Sequence, residues 1–133
     1  MIVVAHYVAP SAIAGLGLFT SEPLAAGDTV YRFNPRFTFV LDDAEVAAMP
    51  AAAQARIANY VYRGKGVHRL ANASYYCADD SRFMNHSATP NTRWVEETES
   101  YVTTEAIAEN SELTCDYGEF SEPGDCCFSF AAP

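Results

Sequence analysis

Hydrophobic and polar positions alternate in many short runs along this chain, a pattern typical of β-strands rather than of long helices. The first run alternates at Val3, Ala5 and Tyr7 and is closed by Pro10. Alternation of this kind, bounded by glycine, proline and asparagine turns, predicts half-buried strands. The further strands predicted are residues 18–20, 29–33, 37–41, 74–77, 92–96, 101–104 and 113–115.

One segment, about residues 42–63, shows helical spacing instead. Asp42 is predicted to cap an alanine-rich helix that runs to Met49. A second helical segment begins at Pro50. Its residues at helical spacing, which form one face, are Gln54, Ile57, Tyr60 and Val61, and the helix is predicted to end at Gly64. Short strands around one helical insert predict a mainly β fold. We expect a single domain over residues 1–133, with a C-terminal tail from about 119.

Composition and charge narrow the classes of function. Half of the 133 residues are hydrophobic and no tract is of low complexity, which is typical of a globular protein. The net charge of −9 is uneven, because residues 79–133 carry twelve acids against two arginines. Such a surface repels nucleic-acid phosphates and attracts cationic partners, so direct nucleic-acid binding is not expected. The alternative interpretation is that the acidic residues only keep the protein soluble and bind no cationic partner.

The chain's ends and its cysteines indicate a reduced, cytoplasmic setting. The N-terminal stretch has neither a basic leader nor a long apolar run, and no segment is long enough to span a bilayer, so no membrane partner is expected. The four cysteines, Cys77, Cys115, Cys126 and Cys127, include no CxxC pair. They are predicted to be reduced thiols rather than disulfides or zinc ligands.

Three motifs contain the candidate binding and catalytic residues. GLGLF, residues 15–19, is a glycine turn that enters an apolar strand, where a ligand can approach the backbone closely. It lacks the third glycine and the following helix of a dinucleotide fingerprint. RFMNHSATPN, residues 82–91, gathers amide, imidazole and hydroxyl groups in a tight turn. ELTCDYG, residues 112–118, contains a predicted strand that is followed by a tyrosine directly before a glycine.

In this order the three motifs resemble the signature of the SET-domain protein lysine methyltransferases, over about residues 3–120. The resemblance implies a β-clip-like fold of short sheets in which the Asp-Tyr segment threads past the Asn-His-Ser segment in a pseudoknot-like crossing. It also implies an S-adenosylmethionine-dependent protein-lysine N-methyltransferase. The substrate would be a basic protein segment that carries a lysine.

The resemblance also assigns roles to residues. The loop formed by Gly15, Leu16, Gly17 and Leu18 would hold the amino-acid portion of S-adenosylmethionine through its backbone. Asn85 would hydrogen-bond the cofactor, and the backbone of His86 would face its adenine. Tyr117 is the candidate catalytic residue. Phe33 and Trp94 would line the lysine channel together with Tyr117.

Some positions differ from the pattern common in the family. Phe33 stands where many members have a tyrosine, with Tyr31 on the neighbouring strand face. Ala88 replaces a cysteine of the zinc-bearing members, and Cys126-Cys127 is not their CxC, so we expect no metal. Phe120, Phe128 and Phe130 of the tail could close the channel, pack in the core or dock a partner.

Two other classes of function stay open. A non-catalytic interaction module would keep the SET scaffold without turnover, and the missing upstream tyrosine favours it. A metal hydrolase would use Asp79, Asp80, His86 and Asp116, but these residues lack the helical HExxH pairing. Because no separate substrate-binding domain is evident, a homodimer or a partner protein is also possible.

Overall fold

This computed structural model describes residues 1–125, which contain ten short strands and two short helices joined by turns and loops. The strands are β1 His6–Pro10, β2 Leu16–Thr20, β3 Thr29–Arg32, β4 Thr38–Asp42, β5 Val61–Tyr62, β6 Ala73–Cys77, β7 Asn85–His86, β8 Thr92–Val95, β9 Ser100–Thr103 and β10 Thr114–Cys115. The helices are α1 Asp43–Ala47 and α2 Ala51–Ala58. The prediction of a mainly β fold with a helical insert is confirmed.

The chain forms two compact units. Of the described residues, the first unit contains Met1–Asn34 and Asp79–Asp116, and the second contains Pro35–Ala78 and residues 117–125. In the first unit, β1 pairs with β2, β9 lies between β3 and β8, and β7 pairs with β10. In the second unit, β6 lies between β4 and β5 in an antiparallel sheet.

The first unit contains the crossing of the two C-terminal motifs. Thr114 pairs with Asn85 and Cys115 pairs with His86, in parallel. Just before this pairing, the Leu113 N–H donates to the Leu18 carbonyl at 2.8 Å, so the same segment also lies beside β2. Leu18 and Leu113 are fully buried. The glycine loop, the Asn-His-Ser turn and residues 112–116 of the last motif therefore meet around one apolar centre.

Asn91 fastens this crossing with both ends of its side chain. Its Nδ2 donates to the Glu112 carbonyl at 2.8 Å, and its Oδ1 accepts from the Thr114 N–H at 2.9 Å. The Thr92 hydroxyl adds a buried bond to the Thr114 carbonyl at 2.7 Å. Asn91 thus connects the turn to the segment that crosses it.

Removing the Asn91 amide should weaken the fold. Asn91→Ala leaves two backbone groups of the crossing without their partner, which costs about 1–3 kcal/mol of unfolding free energy. We expect a lower urea midpoint, followed by circular dichroism. Asn72→Ala is the matched control, because the exposed Asn72 uses only its backbone, whose carbonyl accepts from Asp43. Equal midpoints in the two variants would contradict the role of Asn91.

The second unit contains the helical insert. Asp42 caps α1 by accepting from the Ala44 N–H at 2.8 Å, as the sequence predicted. α2 ends at Ala58, earlier than its predicted stop at Gly64. Val61 and Tyr62 instead form a strand against β6, where the Tyr62 ring stacks on Tyr75 at 5.1 Å. Aromatic and β-branched residues favour such pairing, which explains the earlier stop.

Neither helix of residues 1–125 has the length and apolar character needed to span a membrane.

The cysteines and the tail are described in part. Cys77 and Cys115 are both buried thiols, as expected for residues of the core. The predictions made for Cys126, Cys127, Phe128 and Phe130 lie outside the described residues.

Candidate cofactor-binding site

The glycine loop includes a tight turn, residues 11–15, that joins β1 to β2, and continues into the first residues of β2. The Ser11 N–H donates to the Gly15 carbonyl at 2.9 Å, and the Ser11 hydroxyl accepts from the Ile13 N–H at 2.9 Å. Gly15 has a φ of +46°, a left-handed conformation that favours glycine, and a Cβ there would meet open space. The loop is therefore closed on itself and open toward solvent at Gly15.

Asn85 contacts this loop through its amide nitrogen. The Nδ2 atom donates to the carbonyls of Ala14 and Leu16, both at 3.1 Å, and to Glu112 Oε1 at 2.8 Å. Because all three neighbours are acceptors, they determine the orientation of the amide. Its Oδ1 points away from them and has no hydrogen-bond partner among residues 1–125. The site thus presents one hydrogen-bond acceptor beside the glycine loop.

Glu112 is a residue of this site that sequence reasoning missed. Its two carboxylate oxygens both accept from the Ser11 hydroxyl at 2.9 Å, in addition to the bond from Asn85. A Cβ at Gly17 would lie 2.3 Å from Glu112 Oε1, so any larger residue there would displace this carboxylate. Gly17 therefore makes room for a carboxylate of the chain itself. A single glutamate before a short strand gives no sequence signal for this role.

His86 extends the site along the crossing. Its Nδ1 lies 3.6 Å from Asp116 Oδ1, and both side chains are partly exposed. The Ser87 N–H donates to the Cys115 carbonyl at 3.0 Å, which continues the parallel pairing of β7 with β10. The pairing fixes the backbone of His86 beside Asn85. The predicted contact of this backbone with adenine stays a prediction.

An aromatic cluster, formed by Tyr31, Trp94 and Tyr101, covers the sheet of β3, β9 and β8. The Trp94 ring lies 5.2 Å from Tyr101 and 6.4 Å from Tyr31, between ring centroids. Trp94 also donates its indole N–H to Glu96 at 2.7 Å. Phe33 binds the Glu99 carbonyl through its backbone and makes no ring contact with this cluster among residues 1–125. In the first unit, Trp94 is thus grouped with Tyr31 rather than with Phe33.

Tyr117 belongs to the second unit, where it begins a 3₁₀ turn, Tyr117–Glu119. Its ring lies 5.4 Å from Phe120, which in turn lies 5.0 Å from Tyr62. Lys65 donates to the Gly118 carbonyl at 2.7 Å and so ties the turn to its own unit. The roles predicted for Tyr117, Phe33 and Trp94 in catalysis and in the lysine channel stay predictions.

The residues of the metal-hydrolase alternative have other partners. Asp79 accepts from the Ile2 N–H and the Ser81 hydroxyl, and Asp80 lies 3.1 Å from His6. Within residues 1–125, no three His, Cys, Asp or Glu side chains are arranged to hold a metal ion. These positions give the hydrolase interpretation no support.

Comparisons with known proteins agree with this architecture. A sequence profile of the SET domain matches residues 15–118. A crystal structure of a candidate histone methyltransferase from Plasmodium falciparum superposes with a TM-score of 0.57, over 88% of this chain and 96% of that chain. The two sequences are 20% identical, so this likeness concerns the fold alone. No curated protein sequence matches the chain. Because the profile spans well over half of its length, this protein belongs to the SET-domain family.

Proposed function

We propose that this protein is an S-adenosylmethionine-dependent protein-lysine N-methyltransferase that acts on a basic protein segment. Membership of the SET-domain family supports the reaction class. The observation that carries the proposal is the Asn85 amide. Its nitrogen is engaged by Ala14, Leu16 and Glu112, and its oxygen is left as an acceptor at a partly exposed position.

The residues present fit the amino-acid end of such a cofactor. An ammonium group needs hydrogen-bond acceptors, and Asn85 Oδ1 is one beside an open glycine loop. Gly15 has space where a side chain would stand, and Leu16 is 44% exposed, so a ligand can reach the backbone there. Asn85 would bind the ammonium, the glycine loop would hold the rest of the amino-acid portion, and the His86 backbone would face the adenine.

When bound, the cofactor supplies an electrophilic methyl group on a sulfonium. The tasks of the protein are to orient the acceptor amine and to exclude water, since methyl transfer depends mainly on positioning. A lysine amine, with an ordinary pKa near 10.4, must first lose its proton, and burial away from water favours its neutral form. The Tyr117 hydroxyl would hydrogen-bond the incoming amine.

Two measurements test this proposal. Calorimetric titration with S-adenosylmethionine tests cofactor binding, and tritium transfer to fractionated lysate proteins tests turnover. Binding with transfer to a protein fraction supports the methyltransferase. Binding without transfer would favour the non-catalytic SET module, for which the Phe33 position is the supporting observation. Absence of binding would contradict both the cofactor and the activity.

The substrate side leads to a prediction about salt. Exposed acids are frequent near Trp94, where Glu96, Glu97 and Glu99 lie at the turn between β8 and β9. Such charges attract a Lys/Arg-rich peptide, and dissolved salt screens the attraction. Between about 0.05 and 0.5 M salt, we expect peptide affinity to fall steeply while cofactor affinity changes little. Fluorescence anisotropy of a labelled basic peptide measures the first quantity.

Two double variants test which acidic residues attract the basic peptide. Glu97→Gln with Glu99→Gln removes two charges beside Trp94, and Glu105→Gln with Glu109→Gln removes two exposed charges elsewhere in the same unit. Net charge is equal in the two double variants, so position alone differs. The first should lose the larger part of the salt dependence. A preference for an acidic peptide, or no salt dependence at all, would refute the basic substrate.

A further inference from the structure

Glu112 has no part in the reaction proposed above, yet it is connected to every element that would hold the amino-acid end of the cofactor. Its carboxylate accepts from Ser11 in the glycine loop and from Asn85 in the crossing. It also occupies the space beside Gly17 that any larger residue would need. From these contacts, and resting on the proposed cofactor, we infer that Glu112 is a positioning residue that holds Asn85 Oδ1 outward to accept from the cofactor's ammonium.

Glu112 favours one orientation of the Asn85 amide. Asn85 Nδ2 has two hydrogens and three acceptors within reach, of which Glu112 is the closest at 2.8 Å. A bond to a carboxylate is stronger than a bond to a neutral carbonyl. With Glu112 present, a reversed amide would place Oδ1 against a negative oxygen and two carbonyls. The orientation that presents Oδ1 to a ligand is therefore strongly favoured.

Glu112 also contacts the glycine loop through Ser11. The Ser11 hydroxyl accepts from the N–H groups of Ile13 and Ala14 and donates to Glu112. One carboxylate thus fixes the start of the loop relative to Asn85. Glu112 itself belongs to the segment that pairs with β2 through Phe19, so its backbone is anchored as well. The acceptor and the loop that surrounds it are held in one arrangement before any ligand binds.

The test compares two ligands. S-adenosylhomocysteine carries the amino-acid portion, whereas 5′-methylthioadenosine lacks it. In Glu112→Ala, we expect the affinity for S-adenosylhomocysteine to fall about tenfold and that for 5′-methylthioadenosine to stay within about twofold, by calorimetry. Glu112→Gln keeps an acceptor for Asn85 and should stay within about threefold of the wild type for both ligands. A purely structural role would weaken both ligands together.

The outcomes separate this inference from the proposed function. If the wild type binds neither ligand, the proposed function fails and the inference fails with it. If the wild type binds S-adenosylhomocysteine and Glu112→Ala binds it equally well, only the inference fails. Equal losses for both ligands in Glu112→Ala would also overturn it. So would a Glu112→Gln variant that weakens both ligands equally, because the effect would then not be confined to the acceptor that faces the ammonium.

A double-mutant cycle tests the contact without relying on a single variant. Gly17→Ala should weaken S-adenosylhomocysteine binding in the wild type, because the new Cβ displaces Glu112. In Glu112→Ala the same change should have little further effect. Additive losses would contradict the contact. Should Glu112→Ala unfold at the assay temperature, Ser11→Ala replaces it, with a loss of about threefold expected for S-adenosylhomocysteine and none for 5′-methylthioadenosine.

Discussion

Asn85→Ala should lower the affinity for S-adenosylmethionine about a hundredfold while the protein stays folded. The variant removes the acceptor proposed for the ammonium and the bonds that tie the crossing to Ala14 and Leu16. Losing a hydrogen bond to a charged group costs up to about 3 kcal/mol, which corresponds to a factor of about 100 in affinity. Calorimetric titration measures this loss.

Asn59→Ala is the matched control for this experiment. Asn59 follows α2 in the second unit, is exposed, and makes no side-chain hydrogen bond among the described residues. The control should bind the cofactor as the wild type does, and circular dichroism should show both variants folded. Wild-type affinity in Asn85→Ala would refute the assignment of the Asn-His-Ser motif to cofactor binding.

Tyr117→Phe should reduce methyl transfer roughly a hundredfold and leave cofactor affinity unchanged. The change keeps the ring that packs near Phe120 and removes only the hydroxyl. One hydrogen-bond donor positioned at a transition state commonly contributes a rate factor of about this size. Tritium transfer under single-turnover conditions measures the rate, and calorimetry measures the affinity.

Tyr76→Phe provides the comparison for Tyr117→Phe. Tyr76 lies on β6 of the same unit, and its hydroxyl makes no hydrogen bond within residues 1–125. This control should transfer methyl groups at the wild-type rate. Equal activity in Tyr117→Phe would show that Tyr117 serves packing alone. Tyr31, which is buried in the aromatic cluster, would then become the candidate catalytic residue.

The sequence predicted the strands better than it predicted their partners. Periodicity located β6, β8 and β9 to within one residue at each end, and each of these strands lies in a sheet of three strands. The pairing of β7 with β10 could not be predicted in this way, since each strand has two residues and no period. Its prediction came from the resemblance to a family. Likewise, the helical pattern at Tyr60 and Val61 did not reveal that β6 offered a pairing edge.

The site was predicted in part, for a similar reason. Gly15, Gly17 and Asn85 were identified from their motifs, and the first unit brings them together. The glycine loop was expected to let a ligand approach the backbone closely. At Gly17, however, Glu112 fills the space beside the backbone. Nothing in the local sequence connects Ser11 with Glu112, which are 101 residues apart. Such long-range polar contacts depend on the tertiary fold and leave no local pattern.

The sequence separations between the residues of the site also determine when the site can form during folding. Asn85 takes its partners from residues 71 and 69 positions earlier and from Glu112, 27 positions later. Contacts of such wide separation form late, because long loops must close first. During synthesis, a ribosome-bound chain that ends before Glu112 therefore lacks the complete pocket. A ligand that requires this pocket would bind only after the crossing has formed, and would shift the folding equilibrium of the full chain toward the folded state.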